Sequence, residues 1–231
     1  MEYIIIIFVL FSILLILANV YDFNLRELRN LALLEEEKFN KLTDKYPNNL
    51  DVCKYILNKI HNKDVKIEED KNKKTCLYIA ITNKIIIADI KGSYTRIQTI
   101  CHECLHSIQS KKILLFNFIF SNLYLLYFII ISILGIFDKI PNKTIFFSIM
   151  LILSYSFYFV RSYLENDAMI KAKYLAKEYL EEQQILSKDE IKAIVSSYDK
   201  INNLGIKMTN YQLFLETIIK TVIVAIIFII R

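Results

Sequence analysis

The amino-acid sequence predicts a membrane α+β fold that is mainly α-helical, with three to four transmembrane helices and a small β-hairpin. Of the 231 residues, 55% are hydrophobic, and the mean hydropathy is +0.35. That composition is too apolar for an ordinary soluble domain. The apolar residues form long runs of the length that crosses a bilayer as a helix. Two short stretches rich in isoleucine and bounded by polar turns indicate strands instead.

The first apolar run, Tyr3 to Val20, is predicted to be a transmembrane anchor covering residues 1–20. A helix rises about 1.5 Å per residue, so about 20 apolar residues cross the hydrocarbon core. A cleaved signal peptide is the alternative interpretation. No Lys or Arg precedes the run and no small-x-small cleavage site follows it. Both features favour an uncleaved anchor.

Residues 113–160 are predicted to form a transmembrane hairpin. It consists of two apolar runs, Ile113 to Phe137 and Thr144 to Val160, joined by a short polar turn. Pro141 lies in that turn and stops any helix that reaches it. The chain therefore enters the bilayer and returns to the same side.

The last apolar run, Tyr211 to Ile230, predicts a fourth span in residues 211–231. Only Glu216 and Lys220 interrupt it, and their spacing lets them pair on one face of a helix. An interfacial helix, or a helix that packs against a partner, is the alternative interpretation.

Residues 21–112 are predicted to be a polar region between the first and second spans. Leucines at helical spacing indicate a helix within Asp22 to Tyr46, and a second helix is predicted for Asp51 to His61. Residues 161–210 form the second polar region, which begins with a helix that continues from the third span.

Two strands and a helix complete the first polar region. Cys76 to Ile81 and Lys84 to Ile90 are predicted to form a β-hairpin. Ser93 is the predicted N-cap of a helix that runs through Gln109. Because the second strand comes directly before that helix, we expect it to offer an edge on which an extended peptide can pair.

The second polar region ends in a further helix. Ser187 and Glu190 have the spacing of a capping box, in which each side chain accepts a hydrogen bond from the other residue's backbone. Gly205 is the predicted end of this helix, because glycine is common just after the last helical residue.

The composition excludes several classes of function. With only 3 Gly and 2 Pro, the chain has no glycine-rich phosphate loop and no dinucleotide-binding fingerprint. The net charge is +5, but acids are interleaved with the basic residues, which predicts solvated loops rather than a nucleic-acid surface. The four cysteines are predicted to be free thiols in a reducing compartment: Cys53, Cys76, Cys101 and Cys104.

Two of the three histidines stand in an HExxH motif, His102-Glu103-Cys104-Leu105-His106. Four residues make just over one helical turn, so both imidazoles project from one face and can reach a single Zn²⁺. Glu103 lies beside the first histidine, where it can take a proton from metal-bound water. The motif therefore predicts a catalytic zinc site, whereas two unrelated surface histidines are the simpler alternative.

A catalytic zinc usually has three protein ligands, and Glu165 is the predicted third one. Two membrane crossings separate His106 from Glu165, so both residues return to the same face of the membrane. Asp167 competes for this role, but it lies about 200° further round the helix, so the two carboxylates cannot both face one metal. His61 is an alternative imidazole ligand, for which exposure to solvent is the simpler interpretation.

The run from Ile100 to Gln109, ICHECLHSIQ, resembles the HExGHAxQ helix of the bacterial YugP-like neutral zinc metallopeptidases. Glu165 to Ala168, ENDA, resembles the E-x-D-A segment of that family. The order of parts is also similar, and the likeness extends to about Leu180. A more distant likeness is to the CAAX prenyl proteases and the HtpX-type membrane proteases, which also carry a glutamate on a helix after the membrane.

The resemblance implies a zincin-like site with one Zn²⁺ per chain and Glu103 as the general base. The metal ligands that it implies are His102, His106 and Glu165. Two positions depart from the related patterns. Leu105 replaces the family's glycine, and Met169 stands where the more distant proteases carry an aspartate that orients a histidine ligand. Asp167 is a candidate for that supporting role.

Together these features predict a membrane-embedded zinc metalloendopeptidase that hydrolyses membrane-proximal proteins or peptides. Its expected partners are the lipid bilayer and the substrate, with no nucleic acid, and the sequence does not predict an oligomeric state. The alternative is a catalytically inactive metal-binding scaffold or partner protein. Glu103 favours the enzyme, because a purely structural metal site has no use for an unliganded carboxylate at that position.

The basic residues predict the orientation in a bacterial plasma membrane. Those next to the two polar regions outnumber those on the opposite side, and basic residues near span ends favour the cytoplasm. The first set comprises Arg26, Arg29, Lys111, Lys112, Arg161, Lys171 and Lys173, and the second comprises Lys139, Lys143 and Arg231. The metal site is therefore expected to face the cytoplasm, with the turn at residues 138–143 outside.

Overall fold

The computed structural model describes residues 2–21, 37–73 and 75–231. The described chain is mostly helical, as the sequence predicts, and it contains a small mixed sheet. Its elements are α1 (Glu2–Tyr21), α2 (Asn49–Lys59), β1 (Lys66–Asp70), β2 (Leu77–Ile79), β3 (Lys84–Ala88), α3 (Arg96–Ile108), α4 (Lys111–Ile136), α5 (Lys143–Gln183) and α6 (Lys188–Ile230). Residues 37–43 are also helical. Most of the helix predicted for Asp22 to Tyr46 lies outside the described residues.

In the described part of the chain, four helices are long and apolar enough to cross a membrane: α1, α4, α5 and α6. The last of these, α6, contains the run Tyr211 to Ile230. The sequence alone allowed this run to be either a span or an interfacial helix. Contacts divide the chain into two compact units, of which the first consists of Met1–Phe23, Leu115–Tyr163 and Lys207–Arg231. It holds most of the apolar length of the four helices.

The first unit is packed around aromatic and aliphatic side chains of α4, α5 and α6. Tyr124, Met150 and Val224 are fully buried in this core. Glu216 and Lys220 form the ion pair that their spacing predicts, with Oε1 and Nζ 2.5 Å apart. The Lys220 ammonium also lies 4.8 Å from the centroid of the Tyr124 ring. The charges in this candidate span therefore have partners within the unit.

The second unit, Asn24–Leu114 and Leu164–Ile206, contains a three-stranded sheet in the order β1-β3-β2. The predicted hairpin is present, because β2 pairs with β3 in antiparallel register. The sequence did not predict β1, which pairs with β3 in parallel. Its sequence, KIEED, is charged and largely exposed, so it has no apolar alternation to reveal it.

The predicted role of β3 as an edge for peptide pairing is wrong. β3 is the central strand and is paired with a neighbour on both sides. It is also the most deeply buried strand, with Ile85, Ile87 and Ala88 no more than 3% exposed. An isoleucine-rich strand buries both of its faces, and such a strand belongs in the middle of a sheet. The free edge next to α3 is that of β2.

The helix that carries the HExxH motif, α3, begins at Arg96 and not after Ser93. Thr95, the residue before it, makes no capping hydrogen bond with its side chain. Arg96 is 2% exposed, and its guanidinium donates hydrogen bonds to the carbonyls of Thr43, Tyr46 and Pro47. This buried cation fixes the chain before α2 against the start of α3.

The predicted capping box at the start of α6 is present. The Ser187 amide donates to Glu190 Oε2 over 2.8 Å, and the Glu190 amide donates to Ser187 Oγ over 3.3 Å. The predicted helix end at Gly205 is wrong, because α6 continues unbroken to Ile230. A Cβ at Gly205 would lie 3.0 Å from Met169 Cε, so this glycine allows α5 and α6 to approach closely.

Candidate metal centre

Three side chains of the second unit converge on one point. His102 and His106 lie one turn apart on α3, and their Nε2 atoms are 3.0 Å apart. Glu165, on α5, places its Oε2 atom 3.5 Å from His102 Nε2 and 3.6 Å from His106 Nε2. We call these three residues the ligand group. Among the described residues, this is the one group of three or more histidine, cysteine or carboxylate side chains that could hold a metal ion. Its ligand atoms all lie within 4.8 Å of one another.

The spacing of the ligand group fits a tetrahedral metal. Bonds of about 2.0 to 2.2 Å at tetrahedral angles put neighbouring ligand atoms about 3.3 to 3.6 Å apart. The three separations of 3.0, 3.5 and 3.6 Å lie within a few tenths of an ångström of that range. The donors are two imidazoles and one carboxylate, which leaves a fourth tetrahedral position for water or substrate.

The ligand group is mostly shielded from solvent. The side chains of His102, His106 and Glu165 are 19%, 12% and 14% exposed. Burial favours the neutral form of His106, but the Glu165 carboxylate outweighs this effect and raises the pKa of His106 above its ordinary value of 6.5. A negative charge placed between two imidazoles therefore attracts a cation to this point.

Gln109 connects the ligand group to the rest of α5. His106 Nδ1 lies 2.8 Å from Gln109 Oε1, so Nδ1 carries the proton and donates when Nε2 faces a metal. The amide nitrogen of Gln109 donates to the Leu164 carbonyl over 2.8 Å and to Asp167 Oδ2 over 3.1 Å. This chain of bonds fixes the tautomer and the orientation of the His106 ring.

Asp167 lies in this supporting layer and is not part of the ligand group. It accepts the hydrogen bond from Gln109 and also pairs with Lys171. Burial opposes its charged form, but the bonds from Lys171 and Gln109 prevail and lower the pKa of Asp167. Asp167 therefore stays ionised at neutral pH and acts on His106 through Gln109. His61, the alternative imidazole, is exposed and lies outside the ligand group.

Glu103 lies next to the ligand group in the sequence but does not belong to it. Its side chain is buried, with the residue 7% exposed, and Oε2 accepts a hydrogen bond of 2.6 Å from the Tyr78 amide of β2. Burial raises the pKa of Glu103 above its ordinary value of 4.5, although the nearby histidines and the Tyr78 amide oppose the shift. Such a carboxylate is a stronger proton acceptor than an exposed one.

The four cysteines are buried free thiols, and none belongs to the ligand group. Cys53 and Cys104 approach most closely, with their sulfur atoms 3.7 Å apart. Burial raises the pKa of Cys76 to about 11 and also raises that of Cys101. Thiols in this state are poor nucleophiles and poor metal ligands. Cys101 and Cys104, the second of which lies within the HExxH motif, therefore serve to pack α3.

Sequence reasoning did not assign the roles of Gln109 and Tyr78. Gln109 stands three residues after His106, and that helical spacing was a signal for the contact. Tyr78 contributes a backbone amide, which every residue except proline has. No residue type marks such a contact, and only the fold brings β2 to α3.

Comparisons with known protein families, with curated proteins and with solved structures found no match to this chain. The likeness to the YugP-like metallopeptidases therefore stays a prediction, and the geometry of the ligand group carries the functional argument.

Proposed function

We propose that this chain is a membrane-embedded, zinc-dependent metallopeptidase. The observation that carries the proposal is the convergence of His102, His106 and Glu165, with a buried carboxylate, Glu103, that stands next to His102 in the sequence and is not part of the ligand group. Two imidazoles and one carboxylate form a ligand set typical of catalytic zinc, whereas magnesium and calcium prefer oxygen ligands. A structural zinc site would use four protein ligands.

Each residue near the site has a distinct task in this proposal. Zinc, when bound, supplies a Lewis acid for the scissile carbonyl and an acidified water. Glu103 would accept a proton from a water as the water oxygen bonds to the scissile carbonyl carbon, and would deliver that proton to the amine nitrogen as the C–N bond breaks. Gln109 holds the His106 ring so that Nε2 faces the metal, and burial of the site strengthens these interactions.

The substrates that we propose are proteins or peptides close to the bilayer. The two helices that provide the ligand group are continuous or nearly continuous in the chain with candidate spans. Only two residues lie between the end of α3 at Ile108 and the start of α4 at Lys111, and Glu165 follows the apolar part of α5 directly. Because the ligand group stands within a few residues of candidate spans along the chain, we propose that its substrates come near the membrane. We further propose a bacterial plasma membrane, with the site on the cytoplasmic side.

The proposal is tested with zinc-loaded protein in detergent and in liposomes, using quenched fluorescent peptides and unfolded membrane proteins as substrates. The Glu103→Gln variant should keep its zinc and lose hydrolysis by at least about a thousandfold, because an amide cannot accept the proton. Glu68→Gln, a change on the exposed strand β1, is the matched control and should behave as the wild type.

Two results would overturn the proposal. Full activity of Glu103→Gln would exclude the mechanism. A wild-type protein that holds zinc but hydrolyses none of these substrates would point instead to a metal-binding scaffold.

A further inference from the structure

We infer that the main-chain amide of Tyr78 is the positioning group for Glu103: it holds one carboxylate oxygen so that the other stays available to the attacking water. The inference rests on the proposed function, since it assigns a supporting role to a group in that same site. The contact itself is a hydrogen bond of 2.6 Å from the Tyr78 nitrogen to Glu103 Oε2.

The position of β2 explains why this amide is free to act on α3. β2 is an edge strand, and Tyr78 stands opposite Ile85 of β3. In an antiparallel pair, alternate residues point their N–H and C=O groups away from the partner strand. The Tyr78 N–H reaches Glu103, so Tyr78 is one of these outward-facing residues. Its amide is consequently not needed to hold the sheet together.

The burial of Glu103 explains why the contact matters. A glutamate has three side-chain torsions and samples several rotamers unless something restrains it. A general base must lie within hydrogen-bond reach of the proton that it takes. Oε2 is held by Tyr78, and Oε1 has no hydrogen-bond partner among the residues that the structure describes. The two oxygens are therefore divided between positioning and proton transfer.

The side chain of Tyr78 has a role separate from that of its backbone amide, so the two roles can be tested by different variants. Its hydroxyl donates a hydrogen bond of 2.9 Å to Asn83 Oδ1, at the turn between β2 and β3. A Tyr78→Phe variant removes that bond and keeps the amide. It therefore measures the effect of losing the hydroxyl alone.

Two variants remove the N–H in different ways. Replacing Tyr78 with the corresponding α-hydroxy acid converts the amide to an ester and keeps the side chain, although it weakens the Leu77 carbonyl as an acceptor. Tyr78→Pro keeps that carbonyl amide but replaces the buried tyrosine side chain with a pyrrolidine ring. Proline is tolerated in edge strands where the N–H is not part of the ladder, and Leu77 already has the extended backbone that a following proline requires.

Both variants should bind zinc as the wild type does and keep KM within about twofold. Their kcat should fall about tenfold to a hundredfold, which is the range for a lost hydrogen bond to a charged group. Tyr78→Phe should keep kcat within about twofold. In a Glu103→Asp background the side chain is one methylene shorter, so we expect it to lose the Tyr78 contact and the ester to cause no further loss. An unchanged kcat, or an equal loss in both backgrounds, would overturn the inference.

A second measurement separates this inference from the proposed function. In protein labelled with ¹⁵N-tyrosine, hydrogen exchange of the Tyr78 amide should be at least about tenfold slower in the wild type than in Glu103→Ala. Equal exchange rates would show that the contact does not exist, whatever the activity. Absence of hydrolysis by the zinc-loaded wild type would instead overturn the proposed function, and with it any catalytic role for the contact.

Discussion

Gln109 is the residue through which the protein controls the orientation of a ligand. It accepts a hydrogen bond from His106 and donates to both the Leu164 carbonyl and Asp167. The end of α3 and the start of the polar part of α5 are thereby joined beside the ligand group. Supporting contacts of this kind commonly contribute one to two orders of magnitude to metal affinity.

Replacing Gln109 with Leu should therefore weaken zinc binding about tenfold to a hundredfold, because the His106 ring loses the partner that fixes its tautomer. Competition with a chromophoric chelator measures the change. Asp167→Ala should weaken binding by less than about tenfold, since Gln109 keeps its bond to the Leu164 carbonyl. Unchanged affinity in Gln109→Leu would show that the ring needs no such support.

The relative position of the two histidine ligands follows from the sequence, because the geometry of a single helix fixes it. His102 and His106 share a face at any place where residues 96–108 form a helix. Glu165 was reached by a longer argument from membrane crossings, and the structure brings it to the same point. Tyr78 lies beyond such reasoning, because its contribution is a backbone group whose position depends on how β2 packs.

At the scale of whole elements, apolar periodicity predicted the helices well and their ends poorly. A helix boundary depends on local competition between capping and continuation, and Gly205 shows the limit of that signal. Glycine also serves where two helices approach each other closely, and sequence alone does not separate these uses. The strand β1 was not predicted because its charged sequence lacks the apolar alternation typical of a strand. Backbone pairing with β3 stabilises it instead.

The two glycines at helix contacts should respond differently to alanine. A Cβ at Gly135 would lie 2.8 Å from Ile227 Cγ2 and 3.0 Å from Phe228 Cε1, which are stiff neighbours. We expect Gly135→Ala to cost about 1 to 3 kcal/mol through overpacking. At Gly205 the nearest atom is the flexible end of Met169, so Gly205→Ala should be neutral or stabilising by up to about 1 kcal/mol.

Thermal unfolding of both variants in the same detergent measures this contrast. A lower melting temperature for Gly135→Ala than for Gly205→Ala is the expected result. Equal melting temperatures, or the reverse order, would contradict the packing described for α4 and α6.

At the scale of the whole molecule, the candidate membrane spans were the easiest feature to predict. Length and apolar composition are sufficient to identify them, and four helices within the described residues meet these criteria. Orientation depends on a small excess of basic residues, some of which flank long polar regions, where the rule is weaker. It therefore needs a direct test.

Single cysteines at Lys63 and Lys139 test the orientation in intact bacterial cells. Both residues are exposed, whereas the four native cysteines are buried and should react slowly. A membrane-impermeant thiol reagent should label Lys139→Cys, in the turn between α4 and α5, and should label Lys63→Cys only after the cells are opened. Labelling of Lys63→Cys alone in intact cells would show the inverted orientation.

The metal content of the purified chain tests the central claim most directly. We expect about one zinc per chain in the wild type, since three protein ligands and a water complete a tetrahedral site. His102→Ala and His106→Ala should each lose the metal, Glu165→Ala should bind it much more weakly, and Asp167→Ala should keep it. A site that keeps zinc after the loss of either histidine, or that loses it with Asp167→Ala while Glu165→Ala retains it, would contradict the account.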